Sequence, residues 1–186
     1  MSRRQALIDH AHMAERAERF DEMIQDMNEA VTLKSDLTSE ERNMLSDVLV
    51  QKLIPVAGNA EAKVYYNKML ADYYRYLCEC LSGDERQVTA GKAEETYNEA
   101  FRIASTELKP THSVRLGLVL NWSVFYYEIV QSPQKATDLA KAAFEAAMAN
   151  EDEAFNEDLN PDTPNILQII RDNLTVSAAQ PQILNS

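Results

Sequence analysis

The sequence predicts an all-α protein of about eight helices, in helix-turn-helix units that resemble helical-repeat stacking. Three observations carry that prediction. Glycine occurs only at Gly58, Gly83, Gly91 and Gly117, and there are 6 prolines, while good helix formers such as alanine, leucine and glutamate abound. Apolar residues recur at three- and four-residue spacing in one segment after another. No pair of segments shows the two-residue alternation of a half-buried strand pair. At 186 residues the chain is long enough to bury a core without disulfides or metals.

Leu7, Ile8, Ala11 and Ala14 share one helical face, as do Phe20, Met23, Ile24, Met27 and Val31. The short gap between these stripes predicts an antiparallel hairpin. "TSEE", Thr38 to Glu41, has the form of a capping box, and Met44, Leu45, Val48, Leu49 and Leu53 continue one stripe behind it. Pro55 and Gly58 end that helix. Asn59 is placed to cap the next one, roughly 60–81, which Gly83 is expected to close. Further helices follow at roughly 88–108, with Tyr97 and Phe101 inward, and at roughly 112–131, after the break at Pro110. Ser132-Pro133 reads as a cap followed by proline at the first helical position. "EDEAFNEDLNPD" reads as an acidic loop, and Thr163-Pro164 starts a last helix through Ile166, Ile169, Ile170 and Leu174. One domain over 1–177 and a frayed tail at 178–186 are expected.

A formal net charge of -12 argues against nucleic-acid binding through a general basic surface and against adhesion to anionic membranes. The N-terminus "MSRRQALIDHAHMAER" lacks the apolar stretch of a secretory signal, and no window approaches the roughly 18 apolar residues of a membrane span. Cys78 and Cys80, two apart on a helix, point to different sides and read as packing thiols. These features suggest a reducing cytoplasmic or nuclear setting. There is no phosphate-cradling glycine loop and no nucleophile elbow, and His10, His12 and His112 form no metal motif. No enzyme, metal or cofactor is expected.

"DYYRYLCEC", Asp72 to Cys80, places a guanidinium among three tyrosines. Lys68, Asp72, Arg75, Tyr76 and Glu79 fall at i, i+4, i+7, i+8 and i+11, on one helical face. Read as structure, this is a salt-bridged stripe worth tenths of a kcal/mol per pair. Read as function, Asp72 and Glu79 hold Lys68 and Arg75 in place, and Arg75 and the Tyr76 hydroxyl take an anion. Asn121 beside Leu120 and Val124, and Asn173 beside Ile169 and Ile170, each set an amide next to an apolar row. One anion clamp, two amides and an apolar wall together suit a phosphopeptide. A helical-repeat scaffold is the alternative that the small and aromatic alternation suggests.

"ERFDEM", "TSEERNMLS", "KVYYNKMLADYYRYL", "PTHSVRLGLVLNWSVFYYEI", "SPQKATDLAKAAFEAA" and "LQIIRDNLT" resemble segments of the 14-3-3 proteins, in the family's order and across nearly the whole chain. The resemblance implies antiparallel stacked, TPR-like helices in a dimeric, non-catalytic, cofactor-free adaptor that binds phosphoserine or phosphothreonine peptides. It implies that Arg75 and Tyr76 hold the phosphate. Lys68, Asn121, Glu128 and Asn173 match groove positions, and Leu120, Val124, Ile166 and Ile169 match the apolar wall.

The chain also departs from the family. After Ser46 it passes straight to "DVLVQKLIP", as if roughly fifty residues were absent near 46/47, about 75 Å of helix at 1.5 Å per residue. By the resemblance, that block carries a second phosphate-binding lysine and arginine, and the surface that receives the partner's first helices in the dimer. Ser177 stands where the family has tryptophan, and Trp122 where it has phenylalanine. The expectation is therefore weakened phosphate affinity and a compromised dimer interface. Loss of phosphate binding altogether, in a structural or dominant-interfering short form, is the further alternative.

Overall fold

The computed structural model describes residues 2–33, 46, 48–156 and 161–179. Among them are eight α-helices, one π-helical turn and no strand, so the all-helical expectation holds. The contacts divide the chain into two compact units, Met1–Ala57 and Gly58–Ser186.

In the first unit, α1 (Arg3–Arg16) opens on Ser2, whose Oγ accepts from the Gln5 N–H at 3.2 Å. Ala17 to Arg19 turn the chain through Glu18 at φ 56°, and α2 (Phe20–Leu33) returns along α1. Ile8, Ala11 and Ala14 are buried, as are Met23, Ile24, Met27 and Ala30, so the hairpin closes on the predicted stripes. Burial of each large side chain is worth about 1.5–3 kcal/mol. His10 Nδ1 lies 2.5 Å from Asp26 Oδ2 and ties the two helices together. The capping box at Thr38–Glu41, with Met44, Leu45 and Asp47, lies outside the described residues. Val48, Leu49 and Leu53 are buried as expected. Leu49–Leu53 forms a π-helical turn, closed by the Ile54 N–H on the Leu49 carbonyl at 2.9 Å. Pro55, with no N–H, cannot extend it.

In the second unit, α3 (Ala60–Cys80) starts on Asn59, whose Oδ1 accepts from the Ala62 N–H at 2.8 Å, as predicted. Two boundaries differ from expectation. Gly83 does not close α3. Leu81 and Ser82 are extended, and Gly83 at φ 58° opens α4 (Gly83–Glu107) five residues early. A residue without Cβ takes that left-handed turn at no steric cost. The two-residue link makes α3 and α4 antiparallel neighbours.

His112 caps α5 (Ser113–Glu128), its Nδ1 accepting from the Val114 N–H at 3.3 Å. Ser132 makes no side-chain cap bond to α6 (Pro133–Met148), so proline at the first position starts that helix without it. Within the acidic loop, Glu151–Ala154 forms one helical turn, α7. The last helix, α8 (Thr163–Ala179), is anchored at its start. The buried Thr163 hydroxyl donates to the Thr111 carbonyl at 2.8 Å.

Helix α5 is the centre of this unit. One side joins Val64, Ala71, Tyr97, Ala100, Leu118 and Phe125 in an aromatic-rich core with α3 and α4. Its other side puts Leu116 against Ala140, Ala147, Leu167 and Ile170 of α6 and α8. The residues expected to form a groove therefore sit on helices that these cores hold in place. Among the described residues, no helix is long and apolar enough to cross a membrane.

Candidate functional site

Helix α3 supplies the charged stripe. Lys68 Nζ lies 2.7 Å from Asp72 Oδ2, and Arg75 Nη1 lies 3.4 Å from Glu79 Oε1. These are the i, i+4 pairs that the spacing set up. The packing adds partners that it did not. Asn121 Nδ2 on α5 donates to the same Asp72 Oδ2 at 2.7 Å, and the Tyr97 hydroxyl on α4 donates to Asp72 Oδ1 at 2.5 Å. One carboxylate thus holds three donors from three helices. Burial first, then the Asp72 charge and its hydrogen bond, push the Tyr97 phenol well above its ordinary value, so it remains a donor.

Arg75 is buried, its side chain only 10% exposed. Its guanidinium lies 4.3 Å from the centroid of the Tyr76 ring, and Nη1 reaches Glu128 Oε2 at 3.6 Å as well as Glu79. The Tyr76 ring, rather than its hydroxyl, is thus what meets Arg75. Nε is buried with no hydrogen-bond partner among the described residues. Burial works against the charge. Tyr97, Tyr76, Asp72 and Glu79 outweigh it, and the Arg75 pKa is raised.

Five of the predicted residues line two clefts. Val124, Glu128 and Asn173 line one of about 220 Å³ with Thr137 and Leu174, between α5, α6 and α8. Lys68 and Ile166 line another of about 370 Å³ with Tyr65, Gly117 and Asn165. Leu120 and Ile166 pack against the Leu116–Ile170 core, while Ile169 stays 47% exposed. The stripe and Glu128, which reaches it from α5, set two cations, Lys68 and Arg75, against three carboxylates, Asp72, Glu79 and Glu128. Among the described residues, no cluster of His, Cys, Asp and Glu could hold a metal ion. Cys78 is buried and Cys80 exposed, without a disulfide.

Sequence reasoning missed Tyr97 as part of this site. It lies 25 residues from Asp72, with no local spacing to announce the contact. It treated Glu128 as a groove residue but had no signal for its approach to Arg75.

The family model described as 14-3-3 protein matches residues 47–177. Among curated proteins, 14-3-3-like protein 2 of Caenorhabditis elegans is 38% identical over 226 residues, covering 93% of this chain and 91% of that protein. The 14-3-3 protein beta/alpha-A of Xenopus laevis and the 14-3-3 protein beta/alpha of Homo sapiens are each 37% identical over 229 residues, covering 95% of this chain and 93% of theirs. An alignment of 226 positions against a chain of 186 residues leaves at least 40 positions that this chain does not fill. Matches of that extent and identity mean that the chain belongs to the 14-3-3 family, whose members are non-enzymatic adaptors that bind phosphorylated partners and form dimers.

Proposed function

We propose that this adaptor binds phosphoserine or phosphothreonine segments of partner proteins along α3, α5 and α8, with weakened affinity for the phosphate. Arg75 and Tyr76 take the phosphate. Asn121 and Asn173 read the peptide backbone, Lys68 and Glu128 border it, and Leu120, Val124, Ile166 and Ile169 form its apolar wall. The observation that carries this reading is Arg75 itself. A guanidinium cannot lose its charge, and this one is buried with long contacts to Glu79 and Glu128 and an Nε unpartnered among the described residues. An oxyanion with two acceptor oxygens would satisfy it better than either glutamate does.

The same geometry supports the weakening. Counting Glu128 of α5, an incoming phosphate meets one more carboxylate than cation and must displace Glu79 and Glu128 from Arg75. The unfilled alignment positions, and a family match that begins at residue 47, support the absence of a block at 46/47. That block would carry the other two cations. At about 1.5–3 kcal/mol for each charged hydrogen bond, losing them costs several orders of magnitude in affinity. A cytoplasmic adaptor with a compromised dimer interface is the corresponding cellular reading.

The test is fluorescence anisotropy of a labelled phosphoserine peptide beside its unphosphorylated twin. The expected result is phospho-selective binding weaker than about 1 μM. Arg75→Ala should abolish the selectivity, and Arg75→Lys should not restore it, because an ammonium lacks the planar fork. Equal binding of the two peptides by folded protein would refute the proposal.

A further inference from the structure

We infer that Tyr97 is a positioning residue for the peptide groove. By holding Asp72 it fixes the Asn121 amide with its nitrogen inward and its carbonyl oxygen presented to a backbone N–H of the ligand. The inference rests on the reading of α3, α5 and α8 as that groove.

A carboxylate only accepts, so the Asn121 atom 2.7 Å from Asp72 Oδ2 must be the amide nitrogen. This leaves Oδ1 of Asn121 as its open acceptor. Lys68 and Asn121 both bond Oδ2, which uses that oxygen's two lone pairs. The other oxygen, Oδ1, is held by the Tyr97 hydroxyl. Without that bond Asp72 could rotate, and Lys68 and the Asn121 amide would rotate with it.

Tyr97 cannot touch a ligand, because it is fully buried. Its ring stacks on Trp122 at 6.2 Å and leans on Phe125 at 5.5 Å. Trp122 and Phe125 stand on the helix that carries Asn121. The aromatic core therefore places the hydroxyl, the hydroxyl places the carboxylate, and the carboxylate places the amide. The high pKa of the phenol keeps the donor in place at every ordinary pH.

The experiment has two arms. In the first, phosphoserine peptides are scanned with single backbone esters, each replacing one N–H by oxygen. At one position the parent protein should bind the ester about 5- to 10-fold more weakly, the worth of one hydrogen bond. In Tyr97→Phe that ratio should fall toward one while the phospho-to-plain ratio is kept. Asn59→Ala, which removes the α3 cap but leaves the hydroxyl and its aromatic supports in place, should leave the ester ratio unchanged. An ester ratio in Tyr97→Phe equal to the parent's overturns the inference.

The second arm needs no ligand. The side-chain amide of Asn121 is followed by ¹⁵N NMR in the unliganded protein. Slowed hydrogen exchange in the parent, lost in Tyr97→Phe, supports the inference. Exchange that is already fast in the parent, or unchanged in the variant, overturns it. Should the parent bind no phosphopeptide, the proposed function fails, and this second arm still decides the role of Tyr97.

Discussion

Replacing Asp72 by alanine should destabilise the Gly58–Ser186 unit by about 3–5 kcal/mol, the range for stripping one partner from a buried charged cluster. The magnitude can be assembled from the three donors. The Tyr97 hydroxyl, on a side chain with no exposed surface, loses its Asp72 acceptor at a cost of about 1–3 kcal/mol. Lys68, with 22% of its side chain exposed, and the half-buried Asn121 can turn to water, so each adds only about 0.5–1.5 kcal/mol. Arg75 also loses a nearby negative charge. Tyr97→Phe deletes one donor and leaves Asp72 two, so about 1 kcal/mol is expected. Asp72→Asn keeps the shape but turns a donor toward Lys68 and Asn121, and should fall between the two. Urea unfolding followed by Trp122 fluorescence reads this unit alone, because Trp122 is the only tryptophan in the chain. An Asp72→Ala variant within about 1 kcal/mol of the parent, or no worse than Tyr97→Phe, would show that the carboxylate does not organise the three helices.

Two further outcomes follow from the helix ends. Asn59→Ala should cost about 1 kcal/mol, since its side chain caps α3, whereas Ser132→Ala should cost almost nothing, since Ser132 makes no cap bond. Denaturant midpoints for the two variants, measured together, check both. Hydrogen bonds from Lys109 and then Thr111 hold the Glu153 carboxyl below its ordinary value of 4.5. A depressed carboxylate contributes stability above its unfolded pKa and loses it as the pH falls through the folded one. Glu153→Gln should therefore flatten the loss of stability below about pH 4.5 in an unfolding series across pH, and leave the slope near neutrality unchanged.

The sequence was informative wherever the interaction is local. Asn59 was readable as a cap because its partner is the N–H three residues on. Lys68 with Asp72 and Arg75 with Glu79 were readable as pairs because four residues make one helical turn. Gly83 was misread because a glycine after a helix serves equally to end it or to begin the next. The choice fell to the extended Leu81–Ser82 link and to the packing of α4 on α3. Ser132 resembled a cap because residue type marks the position and not the bond. Trp122 stood out only as a departure from the family. Packing made it the plate on which Tyr97 rests.

By itself, the sequence determined the helical class, most helix boundaries, the charged face of α3 and membership of the 14-3-3 family. All of these are written in residue types at spacings within a few turns, or in motifs kept in order along the chain. Tertiary structure alone decided how the polar groups around Asp72 are shared. Asp72 takes its other donors from Tyr97, 25 residues away, and from Asn121, 49 away. Arg75 is left buried between two glutamates at long range. Those partners meet only after α3, α4 and α5 have packed. Which donor a carboxylate accepts is then set by burial and distance, quantities that no spacing along one helix contains.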